Sequence, residues 1–129
     1  MINKIVVYEA LKHMLSPESN VSLVHKNKLE DQDSLISLLV HDIFGGEILK
    51  THTKKNWHFY NRIDGERIDF TISKIQRYLG EESFEDIPST PAETYDYVDK
   101  TDYSTFFMTF IRAFEEVVGL EKHKYNLAY

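Results

Sequence analysis

Apolar residues open the chain at helical spacing: Ile2, Ile5, Val6, Leu11, Met14 and Leu15 recur at steps of three and four, predicting a helix over Ile2–Leu15 that Pro17 stops. Residues 16–28 set polar and small groups around Val21, Leu23 and Val24, which fits a connector or a short edge strand equally well. From Asp33 the run Leu35, Ile36, Leu38, Leu39, Val40, Ile43 and Phe44 predicts a strongly apolar helix. Asp31 or Asp33 would be its N-cap, with Gly45 and Gly46 closing it. So dense an apolar run marks it as the buried central helix.

The period then changes from helix to strand. Gly46–Thr53 alternates Ile48, Lys50 and His52 against Glu47, Leu49 and Thr51. Trp57–Ile63 and Glu66–Thr71 flank Asp64-Gly65, a dipeptide that tolerates the left-handed backbone of a two-residue hairpin. Such a turn pairs Ile63 with Glu66, Tyr60 with Asp69 and His58 with Thr71. Opposed residues share a face. His58, Tyr60, Asp69 and Thr71 therefore project one way, and Trp57, Phe59, Ile68 and Phe70 project the other way, into the core. A short helix is expected over Ser73–Leu79, ended by Gly80. Residues 81–102 hold eight acidic side chains against one basic, with two prolines, and read as a long acidic surface loop, solvated in the first instance, with packing back on the basic face of residues 50–77 or against a basic partner as the alternatives. The last helix, Ser104–Leu120, carries Phe106, Phe107, Phe110, Ile111, Phe114, Val117 and Val118 on its apolar side and caps the core. The expected fold is a single α+β domain over residues 1–129, with the central helix on a small antiparallel sheet and the terminal helices flanking it.

Composition narrows the function. At 129 residues and 42% hydrophobic, the chain has material for one core. It has no cysteine, which excludes disulfides, thiolate metal sites and a cysteine nucleophile. The net charge of −6 has the wrong sign for non-specific attraction to a phosphate backbone, so nucleic acid is disfavoured. Residues 50–77 are locally basic and carry Trp57, Phe59 and Tyr60, but alternation sends Trp57 and Phe59 to the core rather than to bases. Lys4, Glu9 and Lys12 interrupt the N-terminal segment too often for a signal peptide or membrane span, so a cytoplasmic location is expected.

The hairpin makes His58 and Asp69 diagonal neighbours, at a Cα spacing of about 7 Å across which long side chains touch. An imidazole held by a carboxylate does chemistry only with a third group, a nucleophile or a metal. The head of the central helix would supply it, with free N–H groups and a partial positive charge. There stands Asp33, a fitting N-cap but a poor acyl nucleophile with no proton for His58 to take; Ser34 follows it. His41, eight residues on, could join such a site or simply end its helix. Asp33, His58 and Asp69 include ligand types for a divalent ion, but no close ligand spacing supports one, and no metal or cofactor is expected.

The stretches Asp31-Gln32-Asp33, Val40-His41-Asp42-Ile43-Phe44-Gly45-Gly46-Glu47-Ile48, Trp57-His58-Phe59-Tyr60-Asn61, Asp64-Gly65 and Asp69-Phe70-Thr71 resemble the YunG-like family of small uncharacterised bacterial proteins. The likeness spans about residues 30–72, with a weaker one at Glu85-Asp86-Ile87-Pro88-Ser89. In that family the helix opens with a Gly-Gln-Cys type of sequence. The order Cys, then His on a strand, then Asp on the next resembles the papain-like and transglutaminase-like thiol fold. The resemblance thus implies a papain-like core in which Gln32, His58 and Asp69 match while Asp33 stands at the nucleophile's position. A Cys-to-Asp exchange removes the soft nucleophile and sets a negative charge near His58, which would hold the imidazole as a cation.

The expectation is a nucleophile-less thiol-type fold that binds an unidentified protein or small ligand between the Asp33 helix end and the His58 strand. One alternative is a residual hydrolase using Ser34 or a water activated by His58. Another is an interaction module built on the acidic loop 81–102 and the C-terminal helix, whose aromatic side also leaves self-association open. Plainer readings stand beside these: Asp33 as an ordinary cap, His58 as a strand histidine satisfied by Asp69.

Overall fold

The computed structural model describes residues 2–14, 32–53, 56–71, 84–98 and 100–126. The predicted connector 16–28, the predicted helix Ser73–Leu79 and the alternative cap Asp31 lie outside them. Helix α1 (Lys4–Met14) turns Val7, Ala10, Leu11 and Met14 inward, a face rotated from the one expected: Leu11 and Met14 are buried, but Ile5 is 76% exposed and Ile2 and Val6 are only partly covered. Helix α2 (Asp33–Phe44) buries every residue from Leu35 to Val40, so it is enclosed all round as the central helix. Its N-cap position falls on Gln32, whose side chain makes no capping hydrogen bond. Asp33 is thus inside the first turn rather than at the cap, and its carboxylate is used elsewhere.

Four strands follow: β1 (Glu47–His52), β2 (Trp57–Ile63), β3 (Glu66–Ile68) and β4 (Ile87–Ser89). They form one antiparallel sheet in the order β3-β2-β1-β4. Asp64 and Gly65 both take positive φ, 53° and 78°, as a type I′ hairpin turn requires. The expected register holds for Ile63↔Glu66, Arg62↔Arg67 and Asn61↔Ile68. Beyond it β3 stops. Asp69 Oδ1 accepts from both the backbone N–H and the hydroxyl of Thr71 at 2.9 Å, a local turn that competes with the ladder and ends it three residues early. Gly46 enters β1 with φ 81°, and a Cβ there would lie 2.6 Å from Arg62 O, so only glycine lets the backbones approach.

The expected acidic loop is corrected by the structure. Its described part contains β4, paired to the edge of β1, and helix α3 (Pro91–Tyr95). Thr90 Oγ1 caps α3 by accepting the Glu93 N–H at 3.0 Å, and Pro91 opens its first turn. Thr90-Pro91-Ala92-Glu93 has the spacing of a capping box, a signal outweighed in the sequence by the acid count. Three of the acids are paired across the sheet while staying partly exposed: Glu93 meets Lys50 at 2.8 Å, Asp86 meets Arg67 at 3.1 Å and Glu85 meets His52 at 2.9 Å. The last helix, α4, runs Lys100–Asn126, longer at both ends than predicted, and packs along α1.

The main core gathers Leu35, Leu38, Leu39, Phe59, Ile63 and Ile68 with α1 and with Phe106, Phe110 and Ala113 of α4. The sheet face that carries Thr51, His58 and Tyr60 is buried as well. His58 is 4% exposed, Tyr60 1% and Thr51 0%, because the chain from Phe84 to Asp86 lies over them. Among the described residues no helix is long and apolar enough to cross a membrane.

Candidate functional site

Three of the five residues singled out by the sequence meet. His58 Nε2 lies 2.7 Å from Asp69 Oδ2, and His58 Nδ1 lies 3.6 Å from Asp33 Oδ2. A carboxylate has no proton to give, so Nε2–H is the donor and Nδ1 is the nitrogen facing the head of α2. Each acid is fixed from its own side. Asp69 is held by Thr71 as described, and Asp33 Oδ2 accepts the Phe59 N–H at 2.9 Å, next to the point where β3 has ended. The short third strand therefore has a consequence: it frees β2 backbone for Asp33 and lets Asp69 reach the imidazole from a turn. The side chains of His58 and Asp69 are 4% and 3% exposed and that of Asp33 19%.

The other two stay apart. Gln32 is buried at the entry to α2, and Ser34 Oγ donates to Tyr97 O at 3.4 Å; among the described residues neither bonds to His58. His41 does not join the site, since its Nδ1 pairs with Gly46 O at 3.0 Å at the far end of α2. A single ion could not take both carboxylates together with the imidazole, because they sit on different ring nitrogens. The described basic residues of the 50–77 stretch are engaged as well, Lys50 by Glu93, Arg62 by Glu47 and Arg67 by Asp86.

Sequence reasoning missed the surroundings of the imidazole. The Tyr60 ring stacks on His58 at 5.8 Å, and Phe84 meets both edge-on, at 6.4 Å from His58 and 5.0 Å from Tyr60. Tyr60 donates its hydroxyl to Asp86 Oδ1 at 2.7 Å and accepts the Asp86 N–H at 2.9 Å. Burial first, then that bond to Asp86, holds the Tyr60 hydroxyl protonated far above the usual tyrosine range. Burial pushes the Asp86 carboxyl up, yet hydrogen bonds from Tyr60 and Arg67 and the charges of Arg67 and Arg62 outweigh it and leave the group below its usual value. Glu85 is held low by the His52 backbone N–H and then its imidazole, and Glu93 by hydrogen bonds from Lys50 and then Ser89. The only sequence signal for this cluster was the weak likeness at Glu85–Ser89.

Space at the site is small. The void between Asp33, Ser37, Asn61, Asp69 and Thr71 is about 10 Å³, room for one water at most, so the expected cleft between helix end and strand is closed among the described residues. A second, open groove of about 390 Å³ lies on the other side of Asp69, lined by Lys4, Ile5, Tyr8, Arg67, Ile68 and Phe70.

The family model described as YunG protein matches residues 3–114. The chain belongs to the YunG family. The "Uncharacterized protein YunG" of Bacillus subtilis (strain 168) is 33% identical over 81 residues, which cover 63% of this chain and 68% of that protein. No solved structure matches. All three site residues of this YunG-family chain lie inside the matched span, as do Tyr60, Arg67 and Asp86.

The lowered carboxyls fix the sign of an acid response. Each has a folded pKa below its unfolded one, so its contribution is complete above the ordinary carboxylate range of about 4 and is lost as pH falls through the lowered values. The urea midpoint is expected to drop between about pH 5 and 3. The drop should be smaller in the Glu85→Gln/Glu93→Gln double variant; equal drops would contradict the assignment.

Proposed function

We propose that this chain is a catalytically degenerate member of a thiol-type, papain-like family and acts by binding rather than by covalent catalysis. The observation that carries the reading is the orientation of His58. Its Nε2 is held by Asp69, and its Nδ1 faces, at the head of α2, a carboxylate where the family resemblance calls for a thiol. A carboxylate yields no proton to the imidazole and forms only a labile anhydride with an acyl group, so the acyl-transfer route is closed. Binding is assigned to the groove beside Asp69. Its volume falls in the usual range for small-ligand sites of roughly 300–1,000 Å³, and the apolar faces of Ile5, Tyr8 and Phe70 line it.

The water-sized void beside Asp33 favours one second reading, a hydrolase in which His58 activates a water. An activated ester separates the two. With p-nitrophenyl acetate the parent chain should match buffer, while Asp33→Cys should release one equivalent of p-nitrophenol in a burst that His58→Gln abolishes. Turnover by the parent that depends on His58 would replace the first reading with the second.

A further inference from the structure

Over the imidazole lies a segment whose contacts with the described residues gather at Glu85 and Asp86. Phe84, Glu85 and Asp86 cross the face of β1 and β2 that carries Thr51, His58 and Tyr60, and then the chain turns into β4. Phe84 puts its edge against the His58 and Tyr60 rings. Asp86 makes the turn with φ 53°, a left-handed conformation that aspartate tolerates better than most side chains.

Those contacts are of two kinds. At Glu85 the N–H donates to Thr51 Oγ1 at 3.1 Å, and the carboxylate takes the His52 N–H and imidazole at 2.8 and 2.9 Å. At Asp86, Tyr60 holds the backbone and one carboxylate oxygen, while Arg67 reaches both oxygens at 3.1 and 3.2 Å. The Arg67 guanidinium also lies 4.3 Å from the Phe84 ring centre. One half-exposed side chain on β3 therefore grips the segment through both its aromatic and its acid.

We infer that residues 84–86 form a strap latched by Arg67 over His58, and that a ligand or reagent reaching the outer face of the imidazole must first release it. Arg67 also lines the groove beside Asp69, so an occupant that draws the guanidinium away would loosen the strap. Two such states separated by a few surface contacts are the ordinary basis of a local opening.

Carbethoxylation with diethyl pyrocarbonate at neutral pH, followed residue by residue by mass spectrometry, tests it. His13, 60% exposed on its side chain, is the internal reference. In the parent chain His58 should react at least about tenfold more slowly than His13. Phe84→Ala should raise the His58 rate about tenfold, and Arg67→Gln, a surface change that leaves the core intact, by about threefold, with His13 unchanged in both. The strap is overturned if the His58-to-His13 ratio stays constant in Arg67→Gln and in whichever Phe84 variant, Ala or Leu, keeps the parent circular dichroism.

Discussion

Asp69→Ala is expected to lower the unfolding free energy by about 3 kcal/mol, a large share of the roughly 5–15 kcal/mol that holds a domain together. The residue satisfies three donors at once. His58 Nε2–H loses its acceptor at 2.7 Å, and the N–H and hydroxyl of Thr71 lose theirs at 2.9 Å, where Thr71 is 2% exposed and His58 4%. Buried donors without acceptors cost about 1–3 kcal/mol each, partly relieved by whatever water enters. Asp69→Asn keeps one carbonyl oxygen and should cost about 1 kcal/mol, because it serves either the imidazole or the turn. Urea unfolding of the three chains checks the order. A loss below about 1 kcal/mol in Asp69→Ala would mean that the turn and the imidazole find other partners, contrary to the closed arrangement described.

What could be read from the chain beforehand divides by the range of the interaction. Local signals were sufficient for the existence of α1, for the extent of α2 and for the Asp64-Gly65 hairpin, since spacing, helix-ending glycines and left-handed turn residues act within a few positions; which face of α1 is buried, with Ile5 out and Val7 in, is set by its packing on α4. They also gave the register through Asn61↔Ile68, and with it the placing of His58 near Asp69. The same logic overran at Asp69, where an aspartate's bond to the backbone two residues on was stronger than continued pairing. Asp33 looked like a cap because cap geometry is local, whereas its actual acceptor role depends on a strand 26 residues away. Residues 81–102 were misread for a related reason. Net charge was counted along the chain, but Glu85, Asp86 and Glu93 are compensated across the sheet by His52, Arg67 and Lys50, and that compensation is tertiary.

The candidate site was legible to the same extent. Asp33, His58 and Asp69 came from a turn, a helix head and a family likeness, and they do converge. Tyr60, Phe84, Asp86 and Arg67 did not, since an aromatic on a strand gives no sign of whether core or strap will bury it. The closed void beside Asp33 was equally invisible in the sequence, because room at a site depends on how far apart the backbones stand.

Asp33→Cys addresses the whole account. A thiol there would stand in the first turn of α2, within reach of an imidazole whose other nitrogen is held by Asp69. Helix heads and neighbouring histidines draw a cysteine pKa down from about 8.5 to between about 3.5 and 7.5. Thiolate absorbance at 240 nm, followed against pH, reads the ionisation without any reagent having to enter the site. The account predicts an Asp33→Cys midpoint below about 7 that returns toward 8.5 when His58→Gln is added. A midpoint at or above about 8.5, unaltered by the loss of His58, would mean that the imidazole does not address the head of the helix, and the proposed ancestry of the site would fall with it.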